Sequence, residues 1–163
     1  MNKLIYVLNE YSNNSEKHYY HVINLLEEIS KNDVLIALII EKPINLPVFN
    51  TPNVTVYPQT KKNRISRSLE LRKLLLRLAK NGYNKVFIRI SLNAAIIAIF
   101  ASKKVKLKTF FWQSGTNVSI DRQKRGLKKL KWLITSYSKL LFVSKKIDIF
   151  VLGQGKLYRL DAQ

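Results

Sequence analysis

Apolar residues alternate along this chain between short continuous runs and longer stretches at helical spacing. Lys3 to Leu8 is a run closed by the polar segment Asn9 to Asn14. Tyr19, Val22, Ile23, Leu26 and Ile29 then recur with helical period from a Ser15 cap, with Glu16 in the first turn. Asp33 to Ile40 is a second unbroken run, the pattern of a strand buried on both faces, closed by Pro43 and Pro47. Asn53 to Tyr57 reads as a short third strand. A helix is expected from about Ser66, with Leu69, Leu71, Leu74, Leu75 and Leu78 inward and Asn81-Gly82 as its stop. Lys85 to Ile90 is a fourth strand, Leu92 to about Lys103 an apolar helix, and Leu107 to Trp112 a fifth strand with Gln113 to Asn117 as its polar outlet. A long helix is expected from about Ile120 to Phe142, running through Gly126, and a sixth strand over Ile147 to Leu152.

Strands and helices alternating at this spacing predict an α/β fold: a Rossmann-like, doubly wound parallel sheet of about six strands with helices on both faces. The 163 residues fit one domain spanning 1–163. Ligands of such sheets sit outside the carboxyl ends of the strands, which singles out the loops Asn9 to Asn14, Gln59 to Arg64, Ser91 to Asn93 and Gln113 to Asn117.

Three blocks carry a resemblance. Leu4-Ile5-Tyr6-Val7 leads through a polar loop to the helix Tyr19 to Ile29; Phe87-Ile88-Arg89-Ile90-Ser91 feeds an Ala-rich apolar helix; and Thr109-Phe110-Phe111-Trp112-Gln113-Ser114-Gly115 follows. Together they resemble the N-terminal, acceptor-side domain of GT-B glycosyltransferases, in particular the family-4-like retaining group that uses nucleotide-sugar donors. The likeness covers roughly Met1 to Leu152 and lies in element order and loop position rather than in a strict motif. It implies a domain that holds a lipid-linked or glycan acceptor for polysaccharide biosynthesis, inactive without a C-terminal donor half or a partner subunit to bind the nucleotide-sugar. The chain departs from the family at two places. Ser12-Asn13-Asn14-Ser15 stands where a glycine pair is common, and Trp112 or Gln113 where a His often follows the fifth strand. A Gln can hydrogen-bond a hydroxyl but cannot shuttle a proton near neutral pH, so no catalytic residue is assigned.

At the expected mouth, Asn13, Asn14, Ser91, Asn93, Gln113, Ser114 and Thr116 offer uncharged hydrogen-bonding groups suited to a polyol acceptor, or are simply loop residues. Arg89 joins them, because a charge on an otherwise apolar strand needs a site or a partner; the bland alternative pairs it with Glu10 or Asp148. No cofactor and no metal site is expected: Cys is absent, and His18 and His21 lack a third ligand. Neither a nucleophile elbow nor a P-loop is present.

Charge sharpens this picture. Lys61 to Lys80 carries a net +7, Ala101 to Lys146 a net +12, and the remaining residues balance, which accounts for the whole +19. Segregated basic charge points to a polyanionic partner. Lys61, Lys62, Arg64 and Arg67, with Arg122, Lys124, Arg125, Lys128, Lys129, Lys131 and an interfacial Trp132, are expected to bind an anionic membrane surface, each cation adding about 1 kcal/mol. The longest apolar stretch, Ala94 to Ala101, falls far short of the roughly 20 residues that span a bilayer, and the apolar run after Lys3 is too short for a signal-peptide core. The expected location is therefore cytoplasmic and peripheral, at the inner face of the cell membrane. Two rivals use the same charges: a nucleic-acid-binding module, weakened by the lack of any recognised signature, and a non-catalytic subunit docking a separate donor domain.

Overall fold

The computed structural model describes residues 2–12, 16–113, 126–152 and 156–157. Its elements are β1 (Asn2–Tyr11), α1 (Glu16–Ser30), β2 (Val34–Pro43), β3 (Val54–Pro58), α2 (Arg64–Lys80), β4 (Lys85–Arg89), α3 (Leu92–Ser102), β5 (Lys108–Gln113), α4 (Gly126–Trp132), a π-helical turn (Leu133–Tyr137), α5 (Ser138–Lys146), β6 (Ile149–Leu152) and β7 (Lys156–Leu157). Strand order is β3-β2-β1-β4-β5-β6-β7. The first six are mutually parallel, and the two-residue β7 runs antiparallel to β6. This is the α/β, Rossmann-like sheet expected from the hydrophobic pattern.

The central strands are sequestered because they are continuous β-branched and Leu-rich runs: Ile36 to Ile40 are wholly buried. Alternate side chains serve different layers. Ile5, Val7, Ala37, Ile39, Val86, Ile88 and Phe111 pack with Leu71, Leu75 and Leu78 of α2, Ala94, Ala95 and Ala98 of α3, and Val143 of α5. Tyr6, Leu8, Ile36, Leu38 and Ile40 meet Val22 and Leu26 of α1 on the opposite face. The chain moves one way from β1 to β3 and the other way from β4 to β6, so right-handed crossovers place α1 and the later helices on opposite sides.

Several boundaries differ from the sequence reading. β1 continues through Tyr11, whose carbonyl accepts from Ile44 N at 2.9 Å, so only part of Asn9 to Asn14 is loop. β3 and β5 each run one residue later, which puts Gln113 in a strand opposite Leu152 rather than in an outlet. α2 begins at Arg64 because the Asn63 side chain accepts from Ile65 N at 2.8 Å. Leu69 is exposed, not inward: it lies two residues from Leu71, about 200° around the helix, so the two cannot share a face. The last helix runs beyond Phe142 to Lys146 and is not uniformly α-helical. β6 starts at Ile149, with Asp148 N donating to Thr109 Oγ1 at 3.3 Å and Asp148 Oδ2 accepting from Thr109 N at 2.6 Å and Thr109 Oγ1 at 2.7 Å. The stop at Asn81-Gly82 is as expected. Gly82 sits at φ 87°, donates to Ala79 O at 3.0 Å, and is followed by Tyr83 N donating to Leu78 O at 3.1 Å.

Candidate functional site

β4 ends in a sharp turn that orients everything after it. Ile90 adopts φ 68°, a left-handed conformation that a β-branched side chain adopts only at a cost of about 1–3 kcal/mol. Its N–H donates to Trp112 O at 2.8 Å, and Ser91 N donates to Arg89 O at 2.8 Å, which locks the turn. Ser91 then caps α3, its Oγ accepting from Ala94 N at 3.3 Å.

This turn forms one wall of a polar cavity of about 550 Å³ at the carboxyl ends of β1, β2 and β4. β1 contributes Asn9, β2 contributes Glu41 and Lys42, and α2 contributes Arg64 and Arg67. Ser91 and Asn93 line the next side, and Thr135, Ser136 and Lys139 close it. The closing residues come from the π turn and the start of α5. Thr135 Oγ1 donates to Lys131 O at 2.7 Å, engaging a carbonyl that an α-helical N–H would use, a local reason for the widened turn. Arg64 Nη2 donates to Asn93 Oδ1 at 2.8 Å across the cavity.

Glu41 is the one acid on these walls. Burial pushes its carboxyl pKa up, opposed by a hydrogen bond from Ser91 and by the charges of Arg67 and Lys42. Its Oε2 is buried without a hydrogen-bond partner. Two other side-chain oxygens share that condition among the described residues, Gln59 Oε1 and Gln113 Oε1. Gln59 follows β3 and donates from Nε2 to Arg67 O at 2.7 Å, and Gln113 ends β5. The strained Ile90 and these three oxygens all lie toward the carboxyl ends of the strands.

The expected site residues divide. Ser91 and Asn93 line the cavity together with Arg64 and Arg67, which the sequence reading had assigned to membrane contact. Arg89 does not join them. Its side chain lies on the α1 side of the sheet, 4.9 Å from the centre of the Trp112 ring and hydrogen-bonded to Tyr6, whose pKa is raised by burial and drawn back by Arg89. Among the described residues it forms no ion pair with Glu10 or Asp148, and the Asp148 carboxylate is taken by Thr109. Arg89 borders a separate apolar concavity of about 450 Å³ formed by Tyr6, Phe87, Phe110 and Trp112 under Val22 and Leu25. Gln113 is buried at the strand end, outside the walls of the polar cavity. Asn13, Asn14, Ser114 and Thr116 lie outside the described residues, as do Arg122, Lys124, Arg125 and the side chains of Lys128 and Lys129.

Of the basic surface, Lys61, Lys62, Arg64 and Lys131 are exposed. Trp132 is not the expected interfacial anchor: it is 8% exposed and packs against Tyr137 at 5.2 Å. The exposed apolar side chains there are instead Leu127, Leu130 and Ile134. Among the described residues no helix is long and apolar enough to cross a membrane. Sequence reasoning missed Glu41, Lys42, Ile90, Thr135, Ser136 and Lys139. Only Glu41 left a signal, a lone acid directly after the continuous run ending at Ile40.

No protein-family model matches the sequence, and no curated protein matches it. Solved structures do match the fold. A protein assigned as a UDP-N-acetylglucosamine 2-epimerase from Listeria monocytogenes superposes with a TM-score of 0.53 at 10% identity, over 91% of this chain and 37% of that one. The UDP-GlcNAc 2-epimerase from Methanocaldococcus jannaschii gives 0.52 at 12% identity, over 92% and 38%. The chain thus spans little more than a third of the length of either, and what it shares with them is a Rossmann-like α/β fold.

Proposed function

We propose that this chain is the acceptor-side half of a GT-B glycosyltransferase of the family-4-like retaining group. It holds a lipid-linked or polysaccharide precursor at the cytoplasmic face of the membrane while a donor half supplies the nucleotide-sugar. The observation that carries this reading is the polar cavity at the strand ends, walled by Ser91, Asn93 and Glu41 and shaped by the strained Ile90. Hydroxyls and amides facing a concave space suit a polyol, and the position is where sheets of this topology bind ligands. The Rossmann-like fold, shared with two structures named as UDP-N-acetylglucosamine 2-epimerases, supports a sugar-related class.

Membrane contact draws support from a face that combines apolar and basic groups. Ile65 and Leu69 of α2 share a groove with Ile96 and Ile97 of α3, and Phe100 of α3 stacks on Phe142 of α5 at 6.2 Å. Ile65, Leu69, Phe100, Leu141 and Phe142 are all exposed, and Lys103 lies 5.4 Å from the centre of the Phe100 ring. The test is co-sedimentation with anionic and neutral vesicles at low and high salt, with generic RNA as competitor, repeated on vesicles carrying a polyprenyl-phosphate-linked sugar. Salt-sensitive binding to anionic vesicles that RNA barely displaces, enhanced by the lipid-linked sugar, supports the reading. Indifference to both vesicle types with tight RNA binding overturns it. Sugar transfer by the isolated chain is expected to stay at background.

A further inference from the structure

The charge on the cavity walls is more specific than a polyol site requires. Four cations, Lys42, Arg64, Arg67 and Lys139, surround one acid, Glu41, within a concave space of about 550 Å³. Two of them, Arg67 and Lys139, are half-buried rather than splayed into solvent. The other two, Lys42 and Arg64, are exposed and screened by water, and a single acid among the four cations leaves an excess of positive charge that favours an anion in the cavity. Arg64 is already oriented by Asn93, which lowers the entropy lost when its guanidinium engages an oxyanion.

We infer that this cavity binds a phosphate or diphosphate group of the ligand through Arg64, Arg67 and Lys139, with Glu41 set against them so that its ionisation weakens anion binding. The proposal deepens the acceptor-site reading, since it names the phosphate of a phosphorylated acceptor as what the site grips. Glu41 suits its part because it is the one acid on the cavity wall, set among Arg67, Lys42 and Arg64, so a negative charge there competes with a bound anion for the same cations. Burial holds the carboxyl in its protonated form to a higher pH than usual. The groups facing Glu41 are Arg67 of α2, Lys42 of its own strand and Ser91 of the β4–α3 turn; Asn9, Arg64 and Lys139 complete the cavity around it.

The experiment uses the full chain and two probes, inorganic pyrophosphate and inorganic sulfate, measured by isothermal titration at low salt. Sulfate is a tetrahedral dianion whose own charge is constant between about pH 5 and about pH 8, so any pH dependence belongs to the protein. Arg67→Met and Lys139→Met are each expected to weaken both probes about tenfold. Lys104→Met, which removes the same charge from an exposed site outside the cavity, leaves both unchanged. Wild-type affinity for sulfate is expected to be about fivefold lower with Glu41 ionised than with it protonated, so it falls with rising pH, and Glu41→Gln flattens the profile. Equal weakening by all three cation variants would show diffuse electrostatics and overturn the site. So would a pH profile that Glu41→Gln leaves intact, or no measurable binding of either probe. Circular dichroism on each variant separates lost binding from lost fold. Anion binding as expected, with no preference for vesicles carrying the lipid-linked sugar, would instead sink the glycosyltransferase reading and leave the anion site standing.

Discussion

Ile90 offers a test in which the sign of a difference, rather than its size, decides. Replacing it by Ala or by Gly removes a half-buried side chain almost equally, so the two variants share the loss of packing and keep the Ile90 N–H to Trp112 O bond. They differ in the backbone. At φ 68° an L-residue carries a left-handed penalty of roughly 1–2 kcal/mol that Gly does not. Gly loses more chain freedom on folding, which subtracts about 0.5–1 kcal/mol. Ile90→Gly should therefore be more stable than Ile90→Ala by about 0.5–1 kcal/mol, whereas at an ordinary extended or helical position Gly is the less stable by a similar amount. In a chain of 163 residues that corresponds to a melting temperature about 1–4 °C higher for the Gly variant. Paired thermal melts and urea titrations read the difference directly. An Ala variant that outlasts the Gly variant would show that the turn after β4 is not left-handed and would remove the argument for strain. If the strain also shapes the cavity, Ile90→Gly binds sulfate more weakly than wild type although its backbone is relaxed.

Leu75→Ala removes a fully buried side chain from the layer between α2 and the sheet and should cost about 2–5 kcal/mol by urea unfolding; a loss under about 1 kcal/mol would contradict that packing. Thr109→Val deletes the hydroxyl that donates to Asp148 at 2.7 Å, with an expected loss of about 1–3 kcal/mol in the same assay, and a neutral result would show that this strand-end contact carries no stability. Glu41 has a folded pKa above its unfolded value, so the unfolded chain ionises first as pH rises: its contribution to stability is complete below the unfolded pKa and is lost as pH rises through the folded one. Wild-type stability should accordingly decline on leaving the acid range relative to Glu41→Gln, and parallel stability–pH curves for the two proteins would refute the raised pKa.

The fold was legible because its strongest signals are local. The continuous run Asp33 to Ile40 has the length and β-branched content of a strand buried on both faces, and Leu71, Leu75 and Leu78 mark a helix face without reference to anything distant. Loop positions at the carboxyl ends followed from topology, which is why Ser91 and Asn93 do line the cavity. What a single sequence hides is which face a strand-end side chain takes. Arg89 and Ser91 are two residues apart, yet the left-handed Ile90 between them breaks the alternation, and Arg89 ends on the α1 side against Trp112. Lys139 was hidden for a related reason, since a widened helical turn upstream sets its direction. Trp132 illustrates a third: a basic, amphipathic composition suggests an exposed aromatic, but composition cannot say whether Trp132 or Leu130 faces solvent.

The π turn at Leu133–Tyr137 has a consequence for how this segment tolerates length changes. Each residue in an α-helix advances the side-chain direction by about 100°. Deleting one residue from the widened turn would let it close into regular α-helix and would swing α5 around its axis by about that angle. Lys139 would leave the cavity wall and Val143 would leave the core together, so the five-residue turn works as a phase adjuster that holds both in place at once. A homologous helix one residue shorter would need a different cation, from a different position, to face the same anion.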